Sequence, residues 1–389
     1  MVTGLIYLDN QATTQIDPVV LEAMLPYFGQ HYGNPGSINH AYGWQAEAAV
    51  KQSREILAGA INCTKEEIVF TSGATEANNL AIKGVAEAYF SKGRHIITVA
   101  TEHKAVLDPC KYLESLGFEI TIVPVQPDGL IDLILLEKSL RPDTILVSVM
   151  AANNEIGVLQ PLENIGDICR RHEVLFHSDG AQAIGKIPLD VDRMKIDLLS
   201  MTAHKIHGPK GIGALYVRRR DPRVSLASQI QGGGQERGMR SGTLSPPLIV
   251  GFAKAVEMGL ESMAEEKARL EGLRDRLWDK LKALPGISLN GHPGRRLAGN
   301  LNISIEGVDG SALLLGLQSV IALSSGSACS SMDTSPSHVL KALGHSDKLA
   351  RASLRFGMGR FNTVEEIDRT AEVVTGTVEA LRRLKPMKT

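Results

Sequence analysis

Between about residue 45 and residue 220, two hydrophobic patterns alternate along the chain. Segments with an apolar residue every three or four positions are typical of helices, and short continuous apolar runs are typical of buried strands. The apolar runs predict strands at 68–70, 95–99, 119–123, 144–149, 174–177 and 196–200. The periodic segments predict helices at 45–61, 75–90, 105–116 and 162–172. This alternation predicts an α/β fold in which helices cover both faces of a mostly parallel sheet.

The pattern changes beyond the glycine-rich loop at 231–235. Apolar residues from Ile249 to Leu284 recur at spacings of three or four residues or multiples of these, which predicts one long amphipathic helix. Shorter mixed elements follow it, and a chain of 389 residues exceeds the size at which a single core usually stops growing. We therefore predict two domains. They are a large domain at 15–258 and a small α+β domain formed by 1–14 and 259–389.

The composition, with 43% hydrophobic and 22% charged residues, is that of a soluble globular protein. A net charge of -1 gives no general attraction to nucleic acid or to an anionic membrane. The start of the chain shows no secretory signal, and no apolar stretch reaches the ~20 residues that span a bilayer. Four cysteines lie far apart, which argues against a disulfide framework and a zinc site. These features predict a cytoplasmic protein with no bound metal, no membrane binding and no stable nucleic-acid binding.

Lys205 lies in the loop that follows the strand predicted at 196–200. In open α/β sheets the carboxyl ends of the strands carry the ligand site, and an amine there can form a Schiff base with a carbonyl compound. The amine must first lose its proton, so its ordinary pKa of about 10.4 has to be lowered by burial or by a neighbouring positive charge. Because a lone lysine is more often a solvated surface charge, this role depends on what the other strand ends carry.

Asp179 follows the strand predicted at 174–177. It suits two roles, which are capping the start of a helix and pairing with a protonated pyridine nitrogen. The second role, together with a Schiff-base lysine 26 positions later, is what pyridoxal phosphate requires, because the charged ring is the electron sink of that cofactor.

A run of small residues, TSGATE at 71–76, joins a predicted strand to a predicted helix. Backbone N–H groups at a helix start bind phosphate, Gly73 allows close approach and the Thr75 hydroxyl can donate a hydrogen bond. Such turns are common, so this run alone is weak evidence. Thr202 and His204 could complete the phosphate site.

His103, at another strand end, could stack on a cofactor ring and transfer protons, although a lone loop histidine is usually polar surface.

Cys329 lies in a run of small polar residues at 324–331, which predicts a mobile loop. Cys63, Cys110 and Cys169 are read as buried small hydrophobic residues. Cys329 differs because its neighbours offer no apolar packing. Its thiol could reach a site, provided that a nearby positive group lowers its pKa.

Several motifs together resemble those of the pyridoxal-phosphate cysteine desulfurases of fold type I, in the class V aminotransferase group. They are LDNQATT at 8–14, YGNP at 32–35, TSGATE at 71–76, TEHK at 101–104, NNEIG at 153–157, HK at 204–205, ERGMRSGT at 236–243 and SSGSAC at 324–329. The resemblance covers nearly the whole chain and implies a seven-stranded sheet in the large, cofactor-binding domain. The long cysteine loop resembles that of the branch that supplies iron–sulfur assembly and tRNA thiolation.

Two positions depart from the family pattern. Thr202-Ala203 replaces the common Ser-Gly, and His207 stands where tyrosine is frequent.

The resemblance implies a role for each matching residue. Lys205 would hold the cofactor as a Schiff base, Asp179 would pair with its pyridine nitrogen, Gln182 would bind its ring oxygen, and His103 would stack on the ring and move protons. The cofactor phosphate would be held by Ala74, Thr75, Thr202, His204 and, from the other subunit of a homodimer, Thr243. Arg355 would bind the substrate carboxylate together with Asn34 and Asn154, because a planar guanidinium suits that bidentate contact.

The implied reaction converts L-cysteine to L-alanine and leaves the sulfur on Cys329 as a persulfide, which then passes to acceptor proteins such as an iron–sulfur scaffold. Members that serve the scaffold usually extend further with a tail that contacts it, whereas this chain stops at Thr389, so docking of that kind is left open. Cys329 could contact a cluster transiently in such a complex. The alternatives are a selenocysteine lyase, an aminotransferase and a persulfide relay whose turnover depends on a partner.

Overall fold

The computed structural model describes residues 4–325 and 335–384. The strands, in chain order, are β1 (Ile6–Tyr7), β2 (Ile68–Thr71), β3 (His95–Val99), β4 (Glu119–Val123), β5 (Thr144–Ser148), β6 (Leu175–Asp179), β7 (Leu198–Thr202), β8 (Gly213–Val217), β9 (Ile287–Leu289), β10 (Asn300–Ile305), β11 (Ile321–Ala322) and β12 (Ser353–Gly357).

The helices alternate with these strands through the first two thirds of the chain. They are α1 (Pro18–Met24), α2 (Pro26–Gly29), α3 (Ala41–Ala60), α4 (Ala74–Ala88), α5 (Lys104–Glu114), α6 (Leu133–Lys138), α7 (Leu162–Arg171), α8 (Pro246–Glu261), α9 (Met263–Leu281), α10 (Gly310–Leu317), α11 (His338–Ala342), α12 (Asp347–Arg351) and α13 (Val364–Leu384). Among the described residues, none of these helices is long and apolar enough to cross a bilayer.

Seven strands form the central sheet in the order β2-β8-β7-β6-β5-β3-β4. The strands from β7 to β4 in this order are parallel, and β8 is antiparallel to both of its neighbours. The inner strands are buried on both faces, which explains why they read as continuous apolar runs. The prediction of an α/β fold with a mostly parallel sheet is therefore confirmed.

The prediction of one long helix from Ile249 to Leu284 was wrong, because the chain forms two helices that meet at Ser262. Ser262 leaves helical geometry with φ -98° and ψ 2°, and its hydroxyl donates to the Met258 carbonyl over 2.8 Å. Helix α8 packs on the core of the central sheet and α9 packs on a second core. Both helices keep an apolar face, so the spacing of apolar residues continues across the bend.

The second core lies between a three-stranded antiparallel sheet, in the order β12-β10-β9, and helices α9, α10 and α13. Ile6 and Leu8 join this core because β1 pairs in parallel with β11. The start of the chain is thus packed against its last third. This packing supports the division into 15–258 and 1–14 with 259–389, which stays a prediction.

Candidate active site

A cavity of about 510 Å³, which we call the front cavity, opens at the carboxyl ends of β6 and β7 and at the first turn of α4. Its wall includes most of the residues that the sequence singles out. They are Ala74, Thr75, His103, Asn154, Asp179, Gln182, Thr202, His204, Lys205 and Arg355. Parallel strands bring their carboxyl ends to one edge of a sheet, so residues up to 281 positions apart meet at this edge.

Asp179, the last residue of β6, is buried and fully oriented by its neighbours. Its Oδ2 accepts a hydrogen bond from Asn78 Nδ2 over 2.7 Å, and its Oδ1 accepts one from the Ala181 N–H over 2.9 Å. None of the sequence motifs pointed to a role for Asn78. The available signal was its spacing of four residues from Ala74, which places both on one face of α4.

Two histidines face Lys205 and are held in the neutral state. Burial chiefly, and then repulsion by Lys205, lowers the pKa of His103, while Asp179 opposes this shift. The same two causes, with Lys210 and Lys186, lower the pKa of His204 to about 4. Nδ1 of His103 accepts a hydrogen bond from the Ala105 N–H over 3.0 Å, so the proton of the neutral ring is assigned to Nε2.

The start of α4 offers hydrogen-bond donors to an anion. Within the described residues, no side chain caps this helix, which leaves the N–H groups of its first turn available at the front cavity. Gly73, which precedes the helix, has φ +156°. Glu76 does not compete for this position, because it is held by the Ser72 N–H and by an ion pair with Arg240 at 2.7 Å.

Arg355 lies on β12 with 1% of its surface exposed. Its Nη2 donates to Asp9 Oδ1 over 2.7 Å and its Nη1 donates to the Asn154 carbonyl over 3.0 Å. Its Nε has no hydrogen-bond partner among the described residues. A buried guanidinium that lines the cavity and keeps unmatched N–H donors suits a carboxylate ligand.

Asn34 and Thr243 do not line the front cavity. They line another cavity of about 360 Å³, where Arg54 and Glu236 form a buried ion pair. In this chain Arg355 therefore has the backbone of Asn154 beside it, and Asn34 lies elsewhere. The role of Asn34 in binding the substrate and the role of Thr243 in binding the phosphate stay predictions.

Cys329 lies outside the described residues, but the chain on either side of 326–334 is tied to the site. Ser324 donates to Asp9 Oδ1 over 2.9 Å. The Ser337 hydroxyl donates to Glu155, and His338 Nε2 lies 2.8 Å from the Glu102 carbonyl oxygen. Burial raises the pKa of Glu155 to about 7, against the opposing effects of the Ser337 hydrogen bond and Arg355.

These residues fit pyridoxal phosphate. The wall of one cavity combines a lysine amine, a buried carboxylate for a protonated pyridine nitrogen, neutral imidazoles and helix-start donors for a phosphate. The residues of this cavity thus offer partners for the phosphate, the ring and the aldehyde carbon of that cofactor.

Comparison with known proteins agrees with this fit. The family described as aminotransferase class-V matches residues 6–370. The chain belongs to this family. It is 56% identical over 388 residues to the probable mitochondrial cysteine desulfurase of Schizosaccharomyces pombe, an alignment that covers 99% of this chain and 77% of that relative. It is 53% identical over 383 residues to the cysteine desulfurase IscS of Ehrlichia chaffeensis, covering 98% of this chain and 93% of that one.

A solved structure of a NifS-like protein is similar over 97% of this chain and 99% of its own length, with a TM-score of 0.89 and 39% identity. The resemblance inferred from the motifs is confirmed by these matches. The fold class and pyridoxal phosphate as the cofactor of this class-V enzyme are confirmed with it.

Proposed function

We propose that this chain is a cysteine desulfurase that converts L-cysteine to L-alanine and transfers the sulfur to Cys329 as a persulfide. The observation that carries the proposal is the meeting of Lys205, Asp179, His103 and Arg355 at one cavity, to which the chain on both sides of 326–334 is tied. The relatives named above, over nearly the full chain, are cysteine desulfurases.

Pyridoxal phosphate, when bound, supplies a Schiff base to the substrate amine and an electron sink for its Cα. Lys205 Nζ would hold the cofactor, and its free amine would take the proton from the substrate Cα. Asp179 would keep the pyridine nitrogen protonated, which its orientation by Asn78 supports. Arg355 binds the substrate carboxylate. His103, neutral at physiological pH because of its lowered pKa, can stack on the ring and donate the proton on its Nε2.

Sulfur transfer is a displacement at the substrate sulfur. The Cys329 thiolate attacks that sulfur, an S–S bond forms and the Cβ–S bond breaks. The electron pair of the broken bond stays on the substrate carbon skeleton, and a proton added at Cβ followed by the return of a proton to Cα completes L-alanine. The persulfide on Cys329 then passes its outer sulfur to an acceptor thiol.

A homodimer is part of the proposal. Aromatic side chains from α2 to the first turn of α3 are exposed in the single chain: Phe28 by 58%, Tyr32 by 66%, Tyr42 by 51% and Trp44 by 56%. Such a patch favours a protein partner, and the chain itself is the simplest one. Thr243, which lies away from its own front cavity, would then reach the phosphate of the second subunit.

The acceptors would be proteins of iron–sulfur cluster assembly, including a scaffold, and proteins of tRNA thiolation. A cytoplasmic location is supported by the free thiols of Cys63, Cys110 and Cys169, which suit a reducing compartment. One of the relatives is mitochondrial by name, and that compartment is reducing as well.

The test compares the full-length holoenzyme with its Cys329→Ser variant on L-cysteine, measuring L-alanine and the persulfide by mass spectrometry. We expect the variant to lose L-alanine formation by at least about 100-fold and to carry no persulfide. Cys63→Ser is the matched control, because burial raises the pKa of that thiol and keeps it protonated.

L-Alanine formation at the wild-type rate in Cys329→Ser would overturn the role of Cys329. Faster turnover of L-selenocysteine than of L-cysteine, or amino-group transfer to a 2-oxo acid, would replace the proposal by a selenocysteine lyase or an aminotransferase.

A further inference from the structure

A second, smaller cavity of about 70 Å³ lies behind the front cavity, and Lys205 lines both. We call it the rear cavity. Gln11 also lines both cavities, Gln182 faces the front one, and Lys186 lines the rear one. No step of the proposed reaction uses Lys186, although it is a lysine close behind the reacting amine.

Lys186 holds one end of the Gln182 side chain. Its Nζ donates to Gln182 Oε1 over 3.1 Å, while Gln182 Nε2 donates to the Gln11 carbonyl over 2.8 Å. The amide nitrogen carries two hydrogens, and Gln11 takes one of them. The second hydrogen is available to a ligand in the front cavity, which Gln182 lines.

The two contacts also decide which way the amide points. If it were reversed, the NH₂ group of Gln182 would face the amine of Lys186, and its oxygen would face the carbonyl oxygen of Gln11. Both pairs would be mismatched, donor against donor and acceptor against acceptor. Lys186 and the Gln11 backbone therefore keep a donor, and not an acceptor, available to the front cavity.

Charges meet at Lys186 from several elements. Burial chiefly, and then repulsion by Lys205, lowers the pKa of Lys186 to about 7, while Glu266 opposes this shift. The side chain of Lys186 is half-buried. The other titratable or charged groups on this side are His204, His207, Lys267 and Arg360.

Most of these groups add little positive charge or are already paired. Both histidines have a pKa lowered to about 4 and are neutral at pH 7. Arg360 pairs with Asp17 at 2.9 Å and with Glu266 at 3.0 Å. The electrostatic coupling of Lys186 is therefore mainly with Lys205 and Glu266.

We propose that Lys186 is a positioning residue for the reaction, which fixes the Gln182 amide so that its Nε2 donates to the ring oxygen of bound pyridoxal phosphate and which places a second amine behind Lys205. The inference rests on the proposed function only in taking Gln182 as a ligand of the cofactor. It does not need L-cysteine as the substrate.

Without Lys186, the Gln182 amide loses the contact that prevents its reversal. Its oxygen can then turn to the ring oxygen, and acceptor would face acceptor. The affinity for pyridoxal phosphate should fall by about 10-fold, the effect of one hydrogen bond to a charged group. The pH at which the absorbance of the bound cofactor changes should also move, because a neighbouring amine and an oriented donor are lost together.

The experiment measures cofactor affinity and the pH dependence of cofactor absorbance in Lys186→Met, Lys186→Arg and the surface control Lys254→Met. All measurements are made without L-cysteine, after thermal unfolding has shown that each apoprotein is folded. We expect about 10-fold weaker binding and a shifted absorbance titration in Lys186→Met. Lys186→Arg keeps a donor to Gln182 and should bind within about 3-fold of wild type. Lys254→Met should match wild type.

The effect of Lys186 on affinity should also depend on Gln182. In a Gln182→Ala background, Lys186→Met should cause no further loss of affinity, because the two changes remove the same contact. Equal, additive losses in the two backgrounds would overturn the inference, as would an unchanged affinity and absorbance titration in Lys186→Met. If wild type bound the cofactor but formed no L-alanine, the proposed function would fail while this comparison still stood.

Discussion

The Asn78 amide donates a hydrogen bond to the Asp179 carboxylate over 2.7 Å, and this contact links the two ends of the cofactor cavity. Asn78 lies one turn after the first residues of α4, whose backbone donors face the same cavity. One helix therefore supplies donors for a phosphate and also orients the carboxylate at the far end of β6. This one helix therefore sets the distance between the phosphate donors and the Asp179 carboxylate.

Replacing Asn78 by alanine should weaken cofactor binding. The change removes a hydrogen bond to a charged group that is worth about 1.5–3 kcal/mol, which corresponds to about 10- to 100-fold in affinity. Titration of the apoprotein with pyridoxal phosphate measures this. Asn79→Ala is the matched control, because Asn79 Nδ2 donates to the Thr75 carbonyl at 2.9 Å on the same helix. Equal affinities in the two variants would contradict the role given to Asn78.

Replacing Arg355 by lysine should raise the KM for L-cysteine by about 10-fold or more, with a smaller change in kcat. Lysine keeps the charge but loses the planar fork that contacts Asp9 and the Asn154 carbonyl while leaving Nε for a ligand. Steady-state kinetics measure this. Arg369→Lys, which changes an exposed arginine paired with Glu372, should leave both constants unchanged. A loss confined to kcat would point away from substrate binding.

Stability should fall as the pH drops from about 6.5 to 4, partly because of His177. This buried ring contacts the hydroxyls of Ser148 at 2.8 Å and Ser200 at 3.0 Å, and burial lowers its pKa to about 4. The unfolded chain then binds one more proton than the folded chain between these pH values, so protonation favours unfolding. The contribution of His177 at pH 5, relative to neutral pH, is about 2 kcal/mol.

Urea unfolding at pH 7.5 and pH 5 tests this in His177→Gln, whose amide can bond to both hydroxyls without titrating. The loss of unfolding free energy between the two pH values should be about 2 kcal/mol smaller than in wild type. His172→Gln, which changes an exposed histidine beside Glu137, should behave as wild type. An NMR titration of the folded wild type that showed His177 protonated at pH 6 would refute the assignment.

Replacing Glu236 by alanine should destabilise the fold by about 3 kcal/mol, because it leaves the mostly buried guanidinium of Arg54 without its carboxylate partner. Glu236 accepts two hydrogen bonds from Arg54, at 2.6 and 2.7 Å, and a third from the Phe70 N–H at 2.7 Å. Urea unfolding at one fixed protein concentration measures the change. Glu163→Ala, which breaks an exposed pair with Arg193, should cost less than about 1 kcal/mol. Similar losses in the two variants would contradict this distinction.

The parallel strands and the position of Lys205 just after a strand were predictable because both are local properties. A strand that is buried on both faces must be apolar along its whole length, and the polar loop after it marks the strand end that carries Lys205. The break at Ser262 was not predictable in the same way. Periodic apolar residues report that a helix has a buried face, but not which of two cores covers that face.

By itself, the sequence determined the α/β alternation, the family and the residue types of the site, because each follows from short-range patterns and motifs that need no partner. Only the tertiary structure decided which groups act together. The contacts of Asn78 with Asp179 and of Gln182 with the Gln11 carbonyl, and the pairing of Asp9 with Arg355, join backbones that meet only after the sheet has formed. Their hydrogen bonds depend on distances of a few ångströms, and spacing along the chain does not contain those distances.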